Sequence, residues 1–144
     1  MYTLDKMPMP PTDNHAYVSI IRGRTVIRVP SRDLTNYRKA MQYWALVNRE
    51  KVLACKLGLE MPNRLAVEFS FYFPKEKLFT KTGATKKLDA TNRLKSSCDA
   101  LAEILSIVDS HFWRVYCEKK ETLSEAYVTA KIMTYHPQQK LQNN

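Results

Sequence analysis

The stretch from Leu88 to Leu101 holds the side chains whose types and spacing best suit catalysis. At about 100° per residue in a helix, Asn92 and Asp99 fall on the same polar face. Asp89 comes just before the first turn, and Lys95 lies beside the polar stripe. One short segment can therefore present a carboxylate, an amide and an ammonium together, a combination that suits a phosphodiester and a divalent cation.

The opposite face of the same segment is apolar. Leu94, Cys98, Leu101 and Leu105 recur at helical spacing and point away from the polar stripe. This periodicity predicts a helix from about Thr91 to Leu105, with Thr91 as its N-cap. We expect the apolar face to pack against the core and the polar face to remain available for chemistry.

A second acid follows the predicted helix. Asp109 lies in the polar turn that begins at Ser106, and a reversal of the chain there would bring its carboxylate towards Asp89. Two carboxylates are enough for magnesium, since water and substrate phosphate fill its other positions. Lys95 could then neutralise charge that develops on phosphorus, or it could position the attacking water. The natural nucleophile in such a site is a water bound to the metal.

A purely structural interpretation of these residues is also open. Asp89 could simply complement the positive end of a helix, and Asp109 could cap a turn. Lys95 and Asp99 are spaced as an exposed i,i+4 ion pair, which is worth about 0.3 to 0.5 kcal/mol. Residue spacing alone leaves both interpretations standing.

The overall charge favours a polyanionic partner. The chain has 144 residues with 23 Lys and Arg against 14 Asp and Glu, a net charge of +9. Nucleic acid is favoured over a membrane surface because no basic amphipathic helix is evident.

No apolar run approaches the ~20 residues that cross a bilayer, and the N-terminal residues lack a secretory pattern, so we predict a cytoplasmic protein. The three scattered cysteines indicate buried free thiols, and the three scattered histidines argue against zinc.

Basic side chains cluster in two places that could meet phosphates. One is the tip of a predicted hairpin, Arg22-Gly23-Arg24, and the other is the segment from Lys75 to Lys87, which we expect to be a mobile loop without a core. A solvated turn and a solvated loop are the alternative interpretations. The predicted DNA-contacting residues are Arg22, Arg24, Arg28, Lys75, Lys77, Lys81, Lys86, Lys87 and Arg93.

Hydrophobic periodicity predicts an α+β single domain, a small mixed β-sheet with an N-terminal hairpin packed against two main helices. The proline-rich start is expected to be extended, and we assign residues 1–136 to the domain and residues 137–144 to a polar C-terminal tail. The expected elements are a hairpin of Tyr17 to Ile21 and Thr25 to Val29, a helix from Arg32 to Leu57, a strand from Arg64 to Phe73 with one buried face, a strand from Trp113 to Glu118 with Trp113, Val115 and Cys117 on one side, and a strand from Ala126 to Met133.

The order of these motifs resembles the RusA family of Holliday junction resolvases. The family signature is Asp, any residue, Asp, Asn, then a Lys three residues after the Asn, Asp-Ala-Leu and a later Asp-Asp-Ser-Gln. The matching residues here are Asp89, Asn92, Lys95, Asp99-Ala100-Leu101 and Asp109-Ser110. Pro10-Pro11-Thr12-Asp13-Asn14 and Arg22-Gly23-Arg24-Thr25 are also similar to family motifs, so the resemblance spans most of the chain.

The resemblance implies a magnesium-dependent endodeoxyribonuclease that resolves Holliday junctions by paired nicks in DNA recombination and repair. Manganese could replace magnesium. Asp89 and Asp109 would be metal-binding catalytic carboxylates and Lys95 the catalytic lysine, supported by Thr91, Asn92 and Asp99. Family members are homodimers that bind branched DNA, and they are often encoded by phages and prophages.

Two positions depart from the family pattern. Thr91 stands where a second Asp is usual, and Val108 replaces the first acid of the later Asp pair. Either the metal has fewer protein ligands and more water, or the chain is a weakened or inactive relative that binds branched DNA or a protein partner without cutting. A third interpretation, suggested by the basic composition, is a domain that regulates another protein.

Overall fold

The computed structural model describes residues 1–59 and 64–137. The predicted polar tail, apart from Pro137, lies outside the described residues. No helix within the described ranges has the length and hydropathy needed to span a membrane. The strands are β1 (Tyr2–Met7), β2 (Tyr17–Arg22), β3 (Thr25–Pro30), β4 (Leu65–Pro74), β5 (Phe112–Thr122) and β6 (Tyr127–Thr134), and the helices are α1 (Arg32–Val47), α2 (Arg49–Gly58), α3 (Lys75–Leu78) and α4 (Leu94–Leu105).

A mixed four-stranded sheet forms the centre of the domain. Its strand order is β1-β6-β4-β5, with β4 parallel to β5 and the other neighbours antiparallel. The hairpin of β2 and β3 forms a separate two-stranded sheet. The predicted α+β class is therefore confirmed, although β1 was foreseen only as extended chain.

Strand β4 is buried on both faces, which corrects the expectation of one buried face. Val67, Phe69 and Phe71 pack into the core, and Ala66 and Ser70 on the other face are also buried. Strand β4 has hydrogen-bonded neighbours on both sides, so less of its backbone and side chains is exposed to solvent than in an edge strand. Strand β4 is therefore a central, buried element of the domain.

The helix predicted from Arg32 to Leu57 is in fact two helices. Asn48 has φ −104° and ψ 25°, outside the helical range, and separates α1 from α2. Both its backbone N–H and its side-chain Nδ2 donate to the carbonyl oxygen of Trp44, each at 2.9 Å. An asparagine side chain that competes for backbone hydrogen bonds is a common helix terminator. The apolar periodicity continues through the break, which is why periodicity alone did not reveal it.

The lysine-rich segment after β4 is ordered by local contacts, contrary to the predicted loop without a core. Its first residues form α3, and Leu78 is buried in the main core. Phe79 and Thr85 form an isolated β-bridge, and the backbone N–H of Lys86 donates to the carbonyl oxygen of Leu78 at 2.8 Å. The lysines of the segment nevertheless remain exposed.

Strand β5 contains an irregularity that changes the predicted side-chain phase. Leu65 pairs with Phe112, and the next residue of β4, Ala66, pairs with Arg114. Trp113 is the extra residue and is 59% exposed, whereas Phe112 packs against the core. The prediction that Trp113 shares the inward side with Val115 and Cys117 was therefore wrong, because a bulge shifts the alternation by one residue.

Candidate active site

Helix α4 begins at Leu94, three residues later than predicted. Thr91–Arg93 form a 3-10 turn, and Thr91 is not the N-cap. Asp13, far away in sequence, satisfies the first turn instead. Its Oδ1 accepts from the backbone N–H and the hydroxyl of Ser96 at 3.2 and 3.1 Å, and its Oδ2 accepts from the backbone N–H of Lys95 at 3.4 Å. A carboxylate here also complements the helix dipole.

The Asp89 carboxylate is held by the residue that departs from the family pattern. Its Oδ1 accepts from the Thr91 hydroxyl at 2.7 Å and from the Thr91 backbone N–H at 3.0 Å. Both hydrogen bonds lower the pKa of Asp89, and the bond from the Thr91 hydroxyl has the larger effect. The positive charge of Lys119 also lowers this pKa. Asp89 is exposed and is therefore a charged, oriented carboxylate at neutral pH.

Lys119 lies close to Asp89, which the sequence did not reveal. Its Nζ donates to the carbonyl oxygen of Leu88 at 2.8 Å, beside Asp89. Lys119 lies on β5, thirty-one positions from Leu88, and its sequence neighbourhood is simply charged. Only the packing of the strand beneath the segment before α4 brings the two together.

Lys95 and Asp99 form the i,i+4 ion pair that their spacing allows. Lys95 Nζ lies 3.5 Å from Asp99 Oδ2, with side chains 69% and 38% exposed. A pair this exposed contributes little to stability. Lys95 can therefore leave Asp99 for a phosphate at small cost.

Asp109 lies beyond the other end of α4, in the 3-10 turn Asp109–His111. The chain reverses before it through Ser106, which adopts the left-handed conformation with φ 56°. Burial chiefly raises the pKa of the Cys98 thiol to about 12, and the negative charges of Asp99, Asp109 and Asp13 contribute. The chain therefore turns after α4 and brings Asp109 close enough to Cys98 for its charge to act on that thiol, while the convergence of Asp109 with Asp89 stays a prediction.

Asp89 has a different thiol neighbour. Its charge contributes, after burial, to the raised pKa of Cys117 on β5. Among residues 1–59 and 64–137, no group of three or more His, Cys, Asp or Glu side chains is arranged to hold a metal. The carboxylates of Asp89 and Asp109 are both exposed, and carboxylate oxygens are the type of donor that magnesium takes, one or two at a time, with water completing its shell. All three cysteines are free, with Cys55 buried and Cys98 and Cys117 half-buried.

The predicted DNA-contacting residues divide into two groups. Arg93 is half-buried; its Nη1 donates to the carbonyl oxygen of Pro10, and its guanidinium lies over the Phe73 ring at 5.4 Å. Arg93 therefore holds the N-terminal segment at Pro10 close to the turn before α4. The others have exposed side chains that can meet solvent or phosphate: Arg22, Arg24, Arg28, Lys75, Lys77, Lys81, Lys86 and Lys87.

A cavity of about 310 Å³ opens beside Lys95. Helices α1 and α4 and the hairpin form its walls, and Arg38 contributes an Nη2 that donates to the Tyr17 hydroxyl at 3.3 Å. Arg38 was not among the predicted site residues because it lies on the predicted core helix. Asn92, which was predicted to support the site, is half-buried in the turn before α4.

An α+β domain with an exposed carboxylate and an exposed lysine near the start of one helix, and with a net charge of +9, has the features of a nucleic-acid enzyme. The family model described as Endodeoxyribonuclease RusA matches residues 8–136. The chain belongs to this family, and membership indicates an endodeoxyribonuclease of the type that resolves Holliday junctions. No curated protein shows significant similarity to the chain.

Proposed function

We propose that this protein is a magnesium-dependent endonuclease that resolves Holliday junctions by paired nicks during DNA recombination and repair. The observation that carries the proposal is the Asp89 carboxylate, which Thr91 orients at the start of α4 within the family-matched segment. We infer cytoplasmic action on branched DNA by a homodimer. A phage or prophage origin fits this activity.

Asp89 and Asp109 would hold the divalent ion, magnesium or manganese. When bound, the ion supplies a Lewis acid and an activated water at neutral pH. Lys95 would bind the phosphoryl oxygens with its ammonium and stabilise the negative charge that grows on them. Asn92 and Asp99 support this arrangement, Asp99 by holding Lys95 until the phosphate arrives.

The exposed arginines of the hairpin and the lysines of 75–87 would bind the phosphates of the junction arms. Contacts of this kind position DNA without reading its sequence. Recognition of the four-way junction would therefore depend on its shape and on the spacing of its backbones.

The first test is Asp89→Asn in cleavage of a labelled synthetic four-way junction. We expect cutting in magnesium to be abolished and junction affinity to stay close to wild type, because the variant removes a negative metal ligand and no DNA-binding cation. The matched control is Asp33→Asn, which neutralises an exposed aspartate in the first turn of α1. Linear duplex serves as the substrate control.

Undiminished cutting by Asp89→Asn would remove Asp89 from the mechanism. A wild-type protein that binds the junction but nicks it in neither magnesium nor manganese would contradict the nuclease proposal and favour binding without cutting. Equal affinity for junction and duplex at moderate salt would contradict recognition of branched DNA.

A further inference from the structure

Two arginines and three aromatic rings form a cluster on the sheet, at the end where β4 and β5 begin. The arginine–aromatic cluster consists of Arg64, Trp113, Arg114, Tyr116 and Tyr135. The Arg64 guanidinium lies 4.8 Å from the centre of the Trp113 ring and 6.0 Å from that of Tyr135. The Arg114 guanidinium lies 5.5 Å from the centre of Tyr116 and 5.6 Å from that of Tyr135. Both cations therefore contact the same tyrosine ring.

The strand register builds this cluster. The bulge at the start of β5 turns Trp113 outward and brings Arg114 opposite Ala66. The backbone N–H of Tyr135 donates to the carbonyl oxygen of Arg64 at 2.7 Å, and the Trp113 and Tyr135 rings lie 5.9 Å apart. Trp113 is 59% exposed and Tyr116 is 53% exposed. Large aromatic side chains are thus held at the surface beside fixed guanidinium groups.

The two guanidinium groups have no anionic partner in the described parts of the chain. The ion pairs there are Lys95–Asp99 and Lys120–Glu118, and neither arginine takes part. Arg114 Nε is buried and lacks a hydrogen-bond partner among the described residues. Two like charges beside one ring repel each other, so an anion bound next to them would relieve the repulsion.

We propose that the arginine–aromatic cluster binds a backbone phosphate of DNA, as a contact surface separate from the carboxylate and lysine site. The rings hold the guanidinium planes by cation–π contact, so little side-chain entropy is lost when the phosphate binds. The identity of the anion as DNA rests on the proposed function.

The charge of the cluster argues against a second copy of the chain as its occupant. In a two-fold symmetric contact centred on this patch, Arg64 and Arg114 would approach their own copies. Unpaired like charges at the centre of an interface oppose association. A phosphodiester backbone offers the opposite charge and no such conflict.

The test is the affinity of the full-length protein for a labelled four-way junction, measured without divalent metal over a series of salt concentrations. Arg64→Ala and Arg114→Ala should each weaken binding roughly three- to tenfold and reduce the slope of log K against log salt by about one. The matched control is Arg49→Ala, which removes an exposed arginine at the start of α2. It should leave the slope close to wild type.

Variants without a charge change separate an organised site from general electrostatics. Trp113→Ala should weaken binding about threefold although the net charge is unchanged, and Arg64→Lys should fail to restore wild-type affinity because an ammonium lacks the planar donor array. Tyr43→Ala, which truncates an exposed aromatic on α1, is the control and should bind as wild type does. Circular dichroism verifies that each variant is folded.

The proposal is overturned if Arg64→Ala and Arg49→Ala weaken binding equally. It is also overturned if Trp113→Ala leaves DNA affinity unchanged, and conversion of a dimer to a monomer in sedimentation would then identify the patch as a self-association surface. Nicking in magnesium is measured separately on the wild type. A wild type that nicks, combined with variants that bind normally, rejects the cluster alone and leaves the proposed function intact.

Discussion

Thr91 takes a role different from that of the acid it replaces. An aspartate at this position would add a second negative charge, whereas the threonine hydroxyl donates to Asp89 and fixes its carboxylate. Loss of a group that orients a metal ligand through a hydrogen bond typically costs about 10- to 100-fold in metal affinity or activity. Threonine in place of aspartate therefore removes a negative charge and adds a hydrogen-bond donor that orients Asp89. This difference is consistent with metal binding through fewer protein ligands.

Thr91→Val tests this role because it removes the hydroxyl and keeps the side-chain size. We expect about a tenfold higher magnesium requirement for junction cleavage, since the carboxylate then keeps only the backbone bond. Thr91→Ser retains the donor and should cut at close to the wild-type rate. Magnesium titrations of initial cleavage rates compare the variants.

Thr91→Asp extends the same experiment. A second carboxylate repels Asp89 in the absence of metal and attracts the cation when metal is present, so this variant should need less magnesium than Thr91→Val. Identical magnesium curves for Thr91→Val and Thr91→Ser would mean that the hydroxyl does not position Asp89.

At the scale of elements, local patterns predicted what is locally determined. The alternation of β4 and the apolar face of α4 gave both elements close to their observed positions. The break at Asn48 and the bulge at Trp113 were missed because each is a single-residue event that hydrophobic periodicity does not record. The sequence predicted that Lys95 lies on a helix, but it did not predict which residue stabilises the start of that helix.

The start of α4 depends on a residue more than eighty positions earlier. Asp13 belongs to the Pro-Pro-Thr-Asp-Asn motif, to which the sequence assigned no task. Its carboxylate binds the backbone N–H groups of Lys95 and Ser96 and so fixes the turn that carries the proposed catalytic lysine. We therefore expect Asp13 to be a positioning residue for Lys95.

Asp13→Ala should lower the turnover rate of the junction about fivefold while the affinity for DNA changes little, because loss of a cap of about 1 kcal/mol frays the turn beneath Lys95. Ser31→Ala is the matched control, since the Ser31 hydroxyl accepts from the backbone N–H of Leu34 and caps α1. Both variants should lose similar stability in urea denaturation, but only the first should lose activity.

Asp13→Asn provides the rescue. An asparagine oxygen caps nearly as well as a carboxylate, so this variant should recover most of the turnover rate that Asp13→Ala loses. Equal activity of Asp13→Ala and Ser31→Ala at matched stability would show that the contact is only structural.

At the scale of the whole molecule, the described part of one chain holds one candidate carboxylate and lysine site, although resolving a four-way junction requires cuts in two strands. A net charge of +9 draws the junction arms to the protein but does not supply a second site. A two-fold symmetric dimer would place two sites on opposed strands of a two-fold symmetric substrate. Paired nicking by the proposed dimer would therefore depend on both subunits.

Mixed dimers test this dependence directly. A wild-type subunit and an Asp89→Asn subunit, carrying different affinity tags, are purified together and given a supercoiled plasmid that extrudes a cruciform. One active site should yield a nicked circle, because the second strand is left intact, whereas two active sites cut both strands in one binding event and yield linear DNA. The control is a mixed dimer with an Asp33→Asn subunit, which should produce linear DNA. Linear product from the Asp89→Asn mixed dimer at the control rate, or a protein that remains monomeric at concentrations that support cutting, would refute the two-site arrangement.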